Sequence, residues 1–395
     1  LSKVVVTGLG IITAIGNTVD ENHAALAGGH SGITRSSHFP SKFSGQLPFG
    51  EVSVSTQELK MELQVTETGV TRTTLLALHA FKEAIADAGL TAEQLASAQT
   101  ALINATTVGG MCLTEELYAS GNGQAGNEVY LASYDYASVS LYLQERFRIG
   151  GVLNTINTAC SSSANAMIYG ARLLKNGLAD RVIVGGVDSL SKFTVNGFNA
   201  LRILSDEPCQ PFDVQRKGLN LGEGAAYLVL ERAEDASHKK VYAELSGYGN
   251  TNDAYHPSSL CDDGEGPYLS MQEALHKAHL LPDAIDYINT HGTSTENNDE
   301  VELQAMRRLF SHLPKFNSTK TYTGHTLGAA SAVEAVYSIL TLQHQEIYPT
   351  LNFQQSAGGD SYHPVTRYEQ VPVSHVMSNS FGFGGSCTSL IFSKV

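Results

Sequence analysis

Cys160 stands where the sequence changes character, in Thr158-Ala159-Cys160-Ser161-Ser162-Ser163-Ala164, with a β-branched run before it and an Ala-rich helical pattern after it. Small neighbours leave the sulfur accessible, and the partial positive charge of a helix N-terminus favours thiolate there. One reading is a nucleophile; the other is a buried structural thiol, the common fate of an unpaired cysteine. Two histidines bear on the choice: His291 in Thr290-His291-Gly292-Thr293-Ser294-Thr295, and His325 at the end of Lys320-Thr321-Tyr322-Thr323-Gly324-His325. Both fall in glycine-containing loops at element ends, where functional side chains of α/β proteins collect. The trio could also ligate a metal, but no acidic or thiol ligand lies at short spacing. Nucleophile-and-imidazole chemistry is therefore preferred, and neither a metal nor a cofactor is expected.

The elements that must position these residues alternate in type along the chain. Short β-branched runs predict strands at 3–7, 100–105, 154–158, 181–185, 225–231, 241–248, 285–289, 376–378 and 389–392. Apolar spacing of three and four predicts helices at 71–88, 163–175, 267–278, 299–309 and 330–343, with Gly89 and Gly177 placed as C-terminal caps. Alternation of this kind favours helices layered on sheets. An internal echo is present. Thr158 to Ala164 and Thr323 to Ala330 each set a reactive side chain among small residues before a helix, and Gly222-Glu223-Gly224 and Gly382-Phe383-Gly384-Gly385 each feed a later strand. Two similar halves fused around one site would explain both the echo and the length. Residues 249–266, rich in Asn, Asp, Ser and Gly, read as a surface connection between them, with Asp262 and Asp263 in a solvated loop. Gly8-x-Gly10 after the first strand resembles part of a dinucleotide fingerprint, but Thr13 occupies the third glycine position, so it reads as a turn.

Composition sets the outer limits. The 395 residues carry 25 Lys+Arg against 39 Asp+Glu, a formal charge of −14, which argues against a general nucleic-acid or anionic-membrane binder. With 42% hydrophobic and 16% charged residues the chain has ample material for a large core. The five cysteines form no CxxC pair, so a reducing compartment, the cytoplasm, is expected rather than a disulfide framework. No apolar run is long enough to span a membrane, and the N-terminal run reads as a buried strand rather than a signal peptide.

Taken in order, these motifs resemble the elongating β-ketoacyl-acyl-carrier-protein synthases of the thiolase-fold superfamily. The matching stretches are Val4-Val5-Val6-Thr7-Gly8-Leu9-Gly10, Thr158 to Ser162, Phe212-Asp213 with Gly222-Glu223-Gly224-Ala225, His291 to Thr295, Lys320 to Ala330, and Asn379-Ser380-Phe381-Gly382-Phe383-Gly384-Gly385. The resemblance implies a thiolase-like α/β fold whose two similar halves form a five-layered αβαβα core. Residues 1–248 would carry the nucleophile and 249–395 the two histidines. It implies that Cys160 accepts an acyl group from a carrier thioester, and that a malonyl-carrier thioester then loses CO₂ and attacks it, adding two carbons. By the same analogy His291 and His325 donate hydrogen bonds to the malonyl thioester oxygen, and Lys320 supports them paired with Glu302. The N–H groups of Cys160 and Phe383 form an oxyanion hole, and Phe383, between Gly382 and Gly384, gates the acyl chain. Thr293 and Thr295 hold pantetheine, and Val108 lines the acyl pocket.

The implied partners are an acyl carrier protein bearing phosphopantetheine and a second subunit, either an identical chain or a homologue resembling a chain-length factor. Candidate cations for carrier docking are Lys60, Arg72, Arg202 and Arg216, with Arg307 and Arg308. The sequence departs from the family at Glu296-Asn297-Asn298, where Pro and Gly are usual, and its segment 130–142 lacks the basic residues often found there. Both departures point to a specialised type II system, such as one making polyenes or polyketides. The competing readings are a non-catalytic partner subunit, which would normally lack the cysteine, and a coenzyme A-dependent thiolase-like acyltransferase. The latter would need a second C-terminal cysteine, and Cys387 only follows the glycine loop.

Overall fold

The computed structural model describes residues 2–112, 115, 135–356 and 362–395. Its main strands form one ten-stranded sheet that divides into two five-stranded parts. The first holds β1 (Val4–Thr13), β2 (Thr100–Ala105), β3 (Leu153–Ile156), β4 (Arg181–Asp188) and β5 (Gly224–Arg232). The second holds β6 (Ala243–Asn252), β7 (Tyr287–Asn289), β8 (Lys315–Asn317), β9 (His375–Phe381) and β10 (Ser386–Ser393). Their spatial orders are β3-β2-β4-β5-β1 and β8-β7-β9-β10-β6. Each part therefore sets its third, second, fourth, fifth and first strands side by side. Directions repeat too: the first three neighbours of each part run parallel and the remaining pairings are antiparallel. The parts join only where Val5 and Val6 pair with Glu244 and Ala243.

The layers include the helices α1 (Arg72–Asp87), α2 (Ser162–Lys175), α4 (Glu265–Ala278), α5 (Glu296–Leu309) and α6 (Ala330–His344), while α3 (Lys192–Ala200) lies off the sheet with Val195 in a separate apolar cluster. The inner helices α2 and α6 share one apolar core with both sheet parts, through Met167, Val336, Val6 and Leu390. Outside the first part, Leu75, Leu78 and Phe81 of α1 pack on Ile183 and Val229. Outside the second, Met271 and Leu275 of α4 and Met306 of α5 pack on Ile288 and Ile391. The period-two alternation of β5 serves two cores, since Leu228 and Leu230 face inward while Tyr227 and Val229 face outward. This is the five-layered α/β arrangement expected of a thiolase-like chain.

Both edges where the parts meet are shaped by glycine. A Cβ at Gly8 or Gly10 would lie 2.6 Å from the Ala84 carbonyl oxygen or 2.1 Å from that of Ala80, so β1 seats directly on α1. In the second part a Cβ at Gly247 or Gly249 would meet the Ala274 oxygen at 2.2 Å or the Ser270 oxygen at 2.0 Å on α4. Gly8-x-Gly10 and Gly247-x-Gly249 are thus one packing device used twice, and the former serves close strand–helix contact. Two N–H groups of β1 are satisfied from α1, Leu9 by Asp87 at 2.9 Å and Ile11 by Glu83 at 2.8 Å.

Most predicted elements are present with longer ends, and Gly89 and Gly177 do adopt the left-handed conformation after their helices. Three differences stand out. Residues 248 and 249, placed on either side of the division, both lie inside β6, so strand topology puts the crossing between β5 and β6. For the same reason the surface connection starts later than residue 249, because hydrogen bonding to β10 carries β6 on to Asn252. The strand β8 was not anticipated, being three residues long. The two halves of the sequence echo occupy equivalent places: Cys160 lies between β3 and α2, and His325 between β8 and α6.

Gly10→Ala and Gly249→Ala should each destabilise the fold by about 2–3 kcal/mol through overpacking, read from urea unfolding midpoints. An unchanged midpoint for either would show that the outer helix is not seated as described.

Candidate active site

The inner helices begin side by side, tied by Ser163 Oγ to Ser331 Oγ at 3.1 Å and by Ser331 Oγ to the Cys160 carbonyl at 3.1 Å. That contact brings the two equivalent turns together. Cys160 follows Ala159, whose φ of +53° makes the sharp bend that presents the sulfur. Its Sγ lies 3.0 Å from His325 Nε2, and the His291 and His325 rings meet edge to face with centroids 5.4 Å apart. All three residues are buried. The structure therefore unites Cys160, His291 and His325 as expected.

Hydrogen bonding sets the histidine tautomers. The Leu327 N–H donates to His325 Nδ1 at 3.3 Å, and the Lys320 ammonium, which can only donate, faces His291 Nδ1 at 3.4 Å. Each Nδ1 is thus an acceptor, and each ring carries its proton on Nε2. Burial, with the charge of Lys320, holds both imidazoles well below their usual range, and His325 adds to the effect at His291. Both are neutral donors at pH 7.

Burial likewise pushes the Cys160 thiol up to about 11, opposed by Lys320 and by the backbone N–H groups of Phe383 and Cys160. The helix N-terminus does not make a resting thiolate, because desolvation outweighs it. Both N–H groups lie close enough to the sulfur to favour its thiolate.

Lys320 is 3% exposed. Its partner is Glu334 on α6, not Glu302. Glu302 instead accepts from the backbone N–H groups of His291 at 2.8 Å and Gly292 at 2.9 Å, and from Asn379 Nδ2 at 3.2 Å. It holds the His291 loop in place, with burial raising it to about 7. Burial raises Glu334 to a similar level, with Lys320 pulling the other way. Glu334 lies one turn into the Ala-rich helix after His325, and only the fold shows that it, rather than Glu302, reaches Lys320.

Two cavities meet at Cys160. One, of about 410 Å³, is lined by Cys160, His291, His325, Thr293, Thr295 and Phe383. The threonine hydroxyls lie 2.8 Å apart along it. The other, of about 420 Å³, is bounded by Phe193, Phe198, Leu201, Leu327 and Phe383. Phe383 borders both, stacked on Phe198 at 5.6 Å, between Gly382 and a Gly384 at φ +83°. A Cβ at Gly382 would meet the Thr158 carbonyl oxygen at 2.7 Å, so the glycine turn touches the Cys160 loop. Val108 lines neither cavity; it sits behind the second in a cluster with Leu190, Val195 and Leu327.

The rim of the first cavity is acidic, with Asp262, Glu296 and Glu300. Of the cations proposed for docking, Arg216 is half-buried and paired with Asp299 and Glu300, and Arg72 is half-buried and paired with Glu223. Arg308 pairs with Glu265 and Arg307 lies over Tyr362, Lys60 borders a separate pocket beside Arg72, and Arg202 is exposed beside Leu201. The Asn297 side chain pairs with both backbone groups of Leu260, drawing residues 258–262 over the rim. Of segment 130–142, residues 130–134 lie outside the described residues.

Among the described residues two clusters have ligand atoms close enough to hold a metal, Cys160–His291–His325 and His23–His344–Glu346. In the first, both inward nitrogens carry protons, so coordination would require reversing two tautomers. In the second the imidazoles stack with centroids 3.8 Å apart and planes 13° from parallel. Their in-plane lone pairs run alongside each other rather than converging on one ion.

The decisive comparison covers nearly the whole chain: residues 1–236 match the N-terminal domain of β-ketoacyl synthases and residues 242–354 the C-terminal domain. The chain belongs to the β-ketoacyl synthase family. It is 32% identical to 3-oxoacyl-[acyl-carrier-protein] synthase 2 of Vibrio harveyi, covering all of this chain and 99% of that protein. It is 33% identical to 3-oxoacyl-[acyl-carrier-protein] synthase 1 of Escherichia coli, covering all of both. Among solved structures, the ishigamide ketosynthase/chain length factor superposes with a TM-score of 0.93 at 30% identity, over 100% of this chain and 99% of that one. The protein is thus an acyltransferase-class condensing enzyme that elongates acyl chains carried on an acyl carrier protein.

Depressed imidazole values have a definite sign in stability. Below pH 6.5 the unfolded chain takes up a proton at His291 that the folded chain refuses, so this residue costs stability as pH falls. The destabilisation caused by His291→Ala should therefore shrink between pH 7 and 5.5, by up to about 1.4 kcal/mol per pH unit. A destabilisation independent of pH would mean that the ring titrates normally.

Proposed function

We propose that Cys160 is the acyl acceptor and that His291 and His325 together bind the malonyl thioester oxygen. The observation carrying this reading is that Cys160 Sγ and the two imidazoles, each with Nδ1 already accepting a hydrogen bond, face one cavity with their ligand atoms within 4.8 Å of one another. In the first half-reaction Sγ attacks the carrier thioester. The carbonyl oxygen gains charge against the Cys160 and Phe383 N–H groups, the bond to the pantetheine sulfur breaks, and the Cys160 proton ends on the released pantetheine thiol. In the second, the malonyl thioester oxygen accepts from both Nε2–H groups. CO₂ leaves, and its bonding electrons form an enolate, which attacks the acyl-cysteine carbonyl and expels Sγ as a thiolate that takes a proton from water to restore the resting thiol. Neutral imidazoles suit this step because they donate without delivering a full proton, and the buried Lys320 charge favours the developing anion. The Thr293 and Thr295 hydroxyls hydrogen-bond pantetheine, and Phe383 separates its channel from the apolar cavity that receives the acyl chain.

Several features favour a specialised type II system over housekeeping synthesis, with a polyene or polyketide as product. They are the Asn297-clamped rim, its acidic lining, and the likeness to a ketosynthase paired with a chain-length factor. The complete Cys-His-His set favours the catalytic over the partner role. A two-chain assembly, with an identical chain or a chain-length-factor-like homologue, is supported by the half-exposed edge strand β3, whose free side can take another strand. The free cysteines agree with a cytoplasmic setting, and among the described residues no helix is long and apolar enough to cross a membrane.

Incubation with acyl- and malonyl-carrier proteins, read by mass spectrometry, should show products lengthened by two carbons. Cys160→Ala should abolish condensation while malonyl decarboxylation persists. His291→Ala and His325→Ala should each slow decarboxylation about 10²- to 10³-fold, the usual cost of one oxyanion donor. Full condensation by Cys160→Ala, or normal decarboxylation by either histidine variant, would remove that residue from its role.

A further inference from the structure

Asp188, the last residue of β4, is fully buried and forms no ion pair among those found for the described residues. Burial raises its carboxyl, and the neutral donors around it act in the opposite direction. Oδ1 accepts from Thr106 Oγ1 at 2.7 Å and from the N–H groups of Thr107 at 2.9 Å and Val108 at 2.8 Å. Oδ2 accepts from Thr107 Oγ1 at 2.6 Å and, across the boundary between the two repeats, from the Gly328 N–H at 2.7 Å. One carboxyl therefore fastens the Val108 loop of the first repeat to the turn after His325 in the second. The fit leaves no slack: a Cβ at Gly328 would lie 2.9 Å from Asp188 Oδ2 and 3.2 Å from the Thr107 nitrogen.

Leu327 occupies the middle of this arrangement. Its φ of +55° is unfavourable for a branched side chain, so something must hold it there, and the next N–H along is the one fixed by Asp188. In that conformation Leu327 does two things at once. Its N–H meets His325 Nδ1, and its side chain forms part of the wall of the apolar cavity beside Cys160, packed on Val108.

We propose that Asp188 is a positioning residue that fixes the tautomer of His325 by holding the Leu327–Gly328 turn, and so ties the acyl-chain wall to the decarboxylation step. Without the Gly328 bond the turn relaxes and Leu327 N–H leaves Nδ1. His325 can then carry its proton on Nδ1, and Nε2 becomes an acceptor that cannot serve the malonyl oxygen. Cysteine acylation relies on the Cys160 and Phe383 N–H groups, which the Asp188 bonds do not touch, so it is the less affected of the two steps. The inference rests on His325 being a donor to the malonyl thioester.

The test uses the full-length enzyme carrying Asp188→Asn, whose amide turns a donor toward groups that are themselves donors, and Thr107→Val, which removes one bond only. Acylation of Cys160 and decarboxylation of malonyl-carrier by the acylated enzyme are timed separately, and ring tautomers are read by NMR after ¹⁵N-histidine labelling, with His325 assigned from His325→Ala. Asp188→Asn should slow decarboxylation at least about 30-fold while acylation changes less than about threefold, with the His325 signals moving to the Nδ1–H pattern. Thr107→Val should show the same split at smaller size, and carries the test if Asp188→Asn does not fold. Equal losses in both steps, or an unchanged Nε2–H pattern in the variants, would overturn the proposal. Failure of the donor role is read separately, as normal decarboxylation by His325→Ala with wild-type tautomers intact.

Discussion

A single buried ammonium organises the site. Lys320 sits at 3% exposure beside two imidazoles and one carboxylate. Removing such a charge from water is costly unless it is paired, and Glu334 on the following helix supplies the pair. The remaining field of the ammonium falls on His291 and His325 and, with desolvation, keeps both neutral. Their neutrality, with Nδ1 of each ring already occupied, leaves two Nε2–H donors free for the malonyl thioester oxygen in the mechanism proposed above. The same charge is felt at Cys160, where it partly offsets the burial that holds the thiol protonated.

The fold delivers this arrangement by repetition. Each repeat sends its third strand into an inner helix, and the two inner helices start in contact through Ser163 and Ser331. Cys160 and His325 are therefore brought together by one local geometry used twice, while His291 comes from the end of the second strand of its repeat. The loop equivalent to that of His291 in the first repeat is the one carrying Val108. It performs a different task, backing the apolar cavity. Glycine pairs on β1 and β6 let the outer helices lie flush, so the layers that hold these turns cannot shift far.

Much of this was legible in the sequence, for physical reasons. Cys160, His291 and His325 announced themselves because each lies among small or glycine residues at an element end, a pattern that survives without knowledge of the fold. The long amphipathic helices were also visible, α1 above all, whose Thr71 cap and Gly89 stop are local signals. What escaped depended on tertiary partners. Glu302 and Glu334 are both acidic residues on helices after a histidine loop, and nothing in their spacing shows which one reaches Lys320. The acidity of Cys160 was misjudged because a helix terminus is a local feature, whereas desolvation comes from the layers that close over it. Arg72 and Arg216 read as surface cations until the fold paired them with the buried carboxylates of Glu223 and Asp299. The glycine pair Gly247-x-Gly249 repeats Gly8-x-Gly10 and could have been noticed as part of the internal echo.

The most direct test is a crystal structure of the enzyme acylated on Cys160 and bound to a malonyl-pantetheine isostere that cannot lose CO₂. The isostere's thioester-equivalent oxygen should lie within about 3 Å of Nε2 of both His291 and His325, and the acyl carbonyl oxygen at a similar distance from the Cys160 and Phe383 nitrogens. An isostere oxygen held by neither ring, or an acyl carbonyl turned away from both backbone nitrogens, would contradict the proposed mechanism.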